Sequence, residues 1–273
     1  MTGLLKIVPI LLVLPLLPAT GCRPVVEDSF RNDQSATADG ADAASRVGVD
    51  NDEELRARID AALTYTYLNR TLNLRDNAAW QILHGVLTYG TKYLVLNDGE
   101  PVAAVQWVLD GNPMTGWVAR PGTPDVDLKL LGDSTAAGTG DGRQGMILVM
   151  EPGTKTGQGH PDQWLAILSQ SELPSDTKMI LEGQEYELGD VIRQAMWDVH
   201  EGKECSWTLI SFTKYLPLDY QWYASDGQLW NIEKIIQMEA EQDINNSACG
   251  GSHRLIGMTM ALQRYRASLD DPQ

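Results

Sequence analysis

The chain has 273 residues, 43% apolar and 21% charged, a composition that folds into globular structure rather than staying disordered. Its net charge of −16 repels phosphate backbones and argues against a nucleic-acid partner. It has three cysteines, Cys22, Cys205 and Cys249, too few for a cysteine-based zinc module or a disulfide scaffold.

Lys6 opens a short basic segment, and Ile7 to Leu17 form an apolar run interrupted by Pro9 and Pro15. That run is too short to cross a hydrocarbon core ~30 Å thick. Pro18-Ala19-Thr20-Gly21-Cys22 follows. Small residues before a cysteine resemble a bacterial lipobox, with Ala19 where leucine is more usual. The resemblance implies that residues 1–21 are a lipoprotein signal peptide and that Cys22 is acylated. The protein would then be anchored to the cell membrane, facing the periplasm or exterior. Several acyl chains on one residue anchor stably where one does not. Residues 22–51 are rich in Ala, Asp and Ser, with Phe30 as their one aromatic residue. Such a segment buries too little apolar surface to offset its ordering entropy, and it reads as an acidic tether.

Residues 52–273 are expected to form a single, mainly helical domain. Asn51 followed by Asp52-Glu53-Glu54 predicts a capped helix to about residue 70, with Leu55, Ile59, Leu63 and Tyr67 at helical spacing. Asp76 predicts the cap of a second helix ending near Tyr89. Tyr93 to Leu96 followed by Asn97-Asp98-Gly99 predicts a short strand and tight turn. A helix is expected over about 102–110. The stretch 111–159 reads as a long irregular excursion, because residues 111–160 hold 11 of the 25 glycines and show poor periodicity. Met146 to Met150 is its one candidate strand.

Pro161 suits the first turn of a helix through Trp164 and Leu168. Met179 to Tyr186 predicts a second small hairpin around Glu182-Gly183. Further helices are expected over 190–201, 204–216 and 229–246, and from Ser252 onward. In the last, Leu255, Met258, Leu262, Tyr265 and Leu269 form an apolar stripe. Closely spaced helices suggest stacked αα-hairpins, and a strand–turn–helix pattern at 93–110 recurs at 179–201.

Four histidines carry the functional reading, each beside glycine or at a helix end: His84, His160, His200 and His253. His160 and His253 follow glycine-containing loops and open predicted helices. Helices of one layer start on one rim, so these two histidines are expected to share a cavity. His160, Asp162 and His253 are the candidate acid–base residues, with Gln163, His200, Glu204 and Arg254 as ligand-binding neighbours. Eight tryptophans stand against two phenylalanines, and Trp222, beside a loop, is a candidate platform for a sugar or other flat ligand. His200-Glu201 is no HExxH site, because Gly202 breaks the helix and the second histidine is missing. A metal site from His160, Asp162, Cys249 and His253 has suitable ligand types but no spacing signature, so neither metal nor cofactor is expected.

The segments Gly157-Gln-Gly-His160-Pro-Asp-Gln163-Trp-Leu-Ala, Gly202-Lys-Glu204-Cys-Ser-Trp207 and Ala248-Cys-Gly-Gly-Ser-His253-Arg-Leu resemble a group of bacterial secreted proteins. Members are often labelled "ADP-ribosylation factor-directed GTPase activating protein". Such activators act on cytosolic GTPases through a four-cysteine zinc module, which this chain lacks. The resemblance implies an α/α toroid like those of prenyltransferases and terpene cyclases, for which further hairpins beyond Gln273 would be expected. No Asp-Asp-rich diphosphate site accompanies it. The expected fold is thus an α/α helical-hairpin array with one or two small β-hairpins. The expected function is a lipid-anchored ligand-binding or scaffolding protein. The alternative is an enzyme acting on a polysaccharide or similar polar polymer.

Overall fold

The structure, a computed structural model, describes residues 52–123, 144–151 and 159–270. The signal segment, Cys22, the tether and most of the glycine-rich stretch lie outside the described residues. Among the described helices none is long and apolar enough to cross a membrane.

The elements in chain order begin with α1 (Asp52–Asn69) and α2 (Ala79–Tyr89). A hairpin of β1 (Leu94–Asn97) and β2 (Glu100–Ala103) leads into α3 (Ala104–Leu109). Next come β3 (Trp117–Pro121), β4 (Met146–Met150) and α4 (Gln163–Gln170). A hairpin of β5 (Lys178–Leu181) and β6 (Gln184–Glu187) leads into α5 (Leu188–Trp197), then α6 (Ser206–Tyr215). A hairpin of β7 (Gln221–Tyr223) and β8 (Leu229–Asn231) leads into α7 (Ile232–Ala240), and α8 (Ser252–Asp270) closes the described chain.

This corrects the expected α/α hairpin array. The fold is mixed α/β: among the described residues, eight α-helices are interspersed with four two-stranded antiparallel sheets. Part of the expected irregular excursion is itself a ladder, with Trp117 opposite Met150 and Pro121 opposite Met146. The predicted helix over 229–246 breaks into β8, α7 and a short 3₁₀ turn (Ile244–Asn246). Asn231 explains the break. It pairs with Gln221 across β7–β8, and its side chain then caps α7 by accepting the Lys234 N–H at 2.7 Å.

The two predicted turns do form. Asp98 and Gly99 have φ of 50° and 91°, and Glu182 and Gly183 have 49° and 80°. Two successive positive φ values match the right-handed twist of the flanking strands. The pattern noticed at 93–110 and 179–201 occurs a third time at 221–240, each time as a hairpin running straight into a helix.

The even-numbered helices form the layer that positions the site. α4 packs between α2 and α6, and α8 packs on α6. Fully buried Trp164, Leu165, Ile167, Phe212, Trp222 and Trp230 fill the core beneath them. α8 approaches α6 through small residues. A Cβ on Gly257 would stand 3.0 Å from the Ser206 carbonyl, and Ala261 is buried. Of the apolar stripe anticipated on α8, Met258 packs against the core while Leu255, Leu262, Tyr265 and Leu269 are exposed, Leu255 by 55% and Leu269 by 60%. Leu55, Ile59 and Leu63 of α1 are likewise exposed.

Candidate functional site

The first turns of α4, α6 and α8 bring together residues far apart in the chain. His160 precedes α4, Glu204 precedes α6, and His253 lies in the first turn of α8. The His160 and His253 rings lie 5.2 Å apart, edge to face. Trp207 sits beside them, its ring 4.5 Å from His253 and 6.4 Å from His160. The two histidines expected to share a cavity are thus close in space, although His160 lines the larger cleft described below and His253 does not.

His160 Nδ1 lies 3.0 Å from Glu204 Oε2, and the imidazole side chain is only 8% exposed. With Glu204 ionised, Nδ1 carries the proton and donates, which places the neutral ring's lone pair on Nε2. The hydrogen bond from His160 holds the Glu204 carboxyl below its usual value, outweighing burial. Ser206 Oγ donates to the other carboxylate oxygen at 3.1 Å and fixes its orientation. Burial, followed by the charge of His160, lowers His253, so its neutral form is favoured.

Buried polar atoms normally find partners. Among the described residues, five buried polar atoms without a hydrogen-bond partner are His160 Nε2, Gln163 Oε1, Trp164 Nε1, Trp207 Nε1 and His253 Nδ1; Asp190 Oδ1, on α5, is another. All five lie on or just before the first turns of α4, α6 and α8. This concentration of unmet donors and acceptors marks the site more sharply than any sequence motif.

Two cavities meet here. A cleft of about 580 Å³ is lined by Arg120, His160, Asp162, Asp198, His200 and Lys203, among others. A smaller polar cavity of about 330 Å³ is lined by Lys203, Glu204, Ser206, Glu239, Asp243 and Arg254, among others. His160 and Glu204 thus join across the boundary between the two.

Several expected roles change. Asp162 is no free acid: its Oδ2 accepts from Lys203 Nζ at 3.0 Å and from Thr208 Oγ1 at 2.5 Å. Burial disfavours the Lys203 ammonium, but the Asp162 charge and hydrogen bond outweigh it, and the net shift is upward. Arg254 does not offer an open fork, since Nε bonds Glu239 Oε2 at 2.8 Å and Nη1 bonds Ser247 Oγ at 2.5 Å. Trp222 is no ligand platform: it is fully buried and its Nε1 donates to the Met196 carbonyl at 2.9 Å. Gln163 is buried at the start of α4. His200 lies beyond the end of α5 rather than in its last turn, exposed, and lines the larger cleft with His160. No disulfide joins Cys205 and Cys249. Burial pushes the Cys205 thiol up to about 12, so it stays protonated and inert.

The pairing of His160 with Glu204 was hidden in the sequence because 44 residues separate the two. The surrounding glycines signalled the segments, not the pair. One donor atom from each of His160, Glu204 and His253 lies within 4.8 Å of the other two. The spacing along the chain gave no hint of this set, which differs from the metal site first considered by including Glu204 and omitting Asp162 and Cys249.

No protein-family model, no curated protein and no solved structure matches the chain.

Proposed function

We propose that this protein is a lipid-anchored extracytoplasmic protein that binds a polar, carbohydrate-like ligand in the cleft lined by His160 and His200. The buried, unpartnered His160 Nε2, on a residue that lines this cleft, supports this reading, as do the unpartnered polar atoms of Trp207 and His253, whose rings stand beside it. A ligand rich in hydroxyls supplies both the donors and the acceptors they need. The hydrogen-bonded His160–Glu204 pair favours a second, stronger version, an enzyme acting on a polar polymer. A carboxylate that orients imidazole leaves Nε2 available as a general base.

Tryptophan fluorescence of the full-length protein in detergent provides the binding test, since Trp207 lies beside the histidines. Soluble neutral and acidic oligosaccharides are expected to produce a saturable change. His200→Ala, at an exposed position lining the cleft, is expected to weaken that response about tenfold without altering stability. No saturable response across the set would refute the cleft reading.

The anchor has its own test. Cys22→Ser is expected to abolish labelling with radioactive or alkynyl fatty acid and to move the protein from the membrane to the soluble extracytoplasmic fraction. A wild-type protein that takes up no lipid would overturn the anchor.

A further inference from the structure

We infer that His160, Glu204 and His253 form a binding site for one divalent cation of the zinc class. This deepens the cleft reading above and rests on it only for the cation's use, not for its binding. Three observations carry it. First, the donor atoms of the three residues already lie within 4.8 Å of one another. Zinc bonds of ~2.0–2.1 Å in a tetrahedron place neighbouring ligand atoms ~3.3 Å apart. His160 Nδ1 and Glu204 Oε2, at 3.0 Å, already span one such edge. The cation takes the place of their shared proton, and His253 closes the third position by a small side-chain rotation.

Second, His253 Nδ1 is buried without a hydrogen-bond partner, so a lone pair there meets no competing donor. Third, the carboxylate is already oriented from outside the donor set, by the Ser206 hydroxyl on Glu204 Oε1. Such outer contacts fix the direction of a metal-binding carboxylate. Two imidazoles and one carboxylate suit zinc, cobalt or nickel better than calcium or magnesium, which take oxygen ligands. Three protein ligands leave a fourth position for water or ligand, beside His160 of the larger cleft and Glu204 of the smaller cavity. Lys203, the nearby buried cation, is paired with Asp162 at 3.0 Å rather than with Glu204.

The test uses the full-length protein in detergent, stripped with chelator and dialysed. Titration calorimetry with zinc chloride is expected to show one site per chain. Cobalt chloride is expected to give the visible absorption bands of tetrahedral cobalt. His253→Ala and His160→Ala are each expected to weaken zinc binding at least about 100-fold, and Glu204→Gln about 10- to 100-fold. His200→Ala is expected to bind zinc as the wild type does. Circular dichroism of each variant separates lost ligation from lost folding. His253→Gln is the second variant should His253→Ala unfold. A folded wild type that binds neither ion overturns the inference, as does wild-type affinity in both histidine variants. Zinc binding without an oligosaccharide response leaves the metal site standing and removes the cleft reading. An oligosaccharide response without zinc binding does the reverse.

Discussion

Replacing Glu239 by alanine is expected to lower the free energy of unfolding by about 3–5 kcal/mol. Its side chain is 0% exposed and carries two obligations. Oε1 accepts the Cys205 backbone N–H at 2.6 Å, and Oε2 pairs with Arg254 Nε at 2.8 Å. Alanine leaves a largely buried guanidinium without its counter-charge and a buried amide without its acceptor. Both are costly in a low-dielectric interior. Glu239→Gln keeps an acceptor for the amide and is expected to fall between alanine and wild type. Replacing both partners, Glu239→Leu with Arg254→Met, is expected to recover at least about half the loss, since apolar substitutes for a buried ion pair are often well tolerated. Urea unfolding curves on the full-length chain measure all three. A Glu239→Ala loss below about 1 kcal/mol would mean that the pair is solvated and does not tie α7 to α8.

The second large effect is expected at Trp222. Alanine here should cost about 3–5 kcal/mol, the range for removing a fully buried aromatic side chain. The ring stands edge-on to Phe212 at 5.5 Å and its indole N–H serves the Met196 carbonyl. Trp222→Phe keeps most of the packing and loses that hydrogen bond, so a smaller loss of about 1–2 kcal/mol is expected. The oligosaccharide response per folded molecule should be unchanged in both. A ligand platform would behave in the opposite way, with weak binding and intact stability, and that outcome would restore Trp222 to the site.

Local chemistry was legible in the sequence wherever a backbone requirement selected the residues. Asn97-Asp98-Gly99 and Glu182-Gly183 announce their turns because few residues accept positive φ. β7 and β8 were invisible, because three residues are too few to show a period of two and Leu229 to Asn231 merges with the apolar run of α7. On α8 most of the large apolar residues are exposed, Met258 excepted. Large apolar residues drew attention to one side, while close packing against α6 required Gly257 and Ala261 on the other. At the site, His160 and His253 could be nominated from their places at helix starts. Glu204 could be nominated but not paired. Arg254 was misjudged because its partner Glu239, an acid on an amphipathic helix, has no sequence feature that marks it as buried.

The three converging helix starts also set the order in which the chain acquires its parts. Each β-hairpin with its following helix closes over neighbouring residues, so these units need only short loops to form. The His160–His253 contact spans 253 − 160 = 93 residues and carries a far larger loop-closure cost. The cluster is therefore expected to assemble late in folding. A chain still emerging during synthesis has its hairpins long before residue 253 arrives to complete the rim. His160, Glu204 and His253 thereby stand together only in molecules whose α8 has docked.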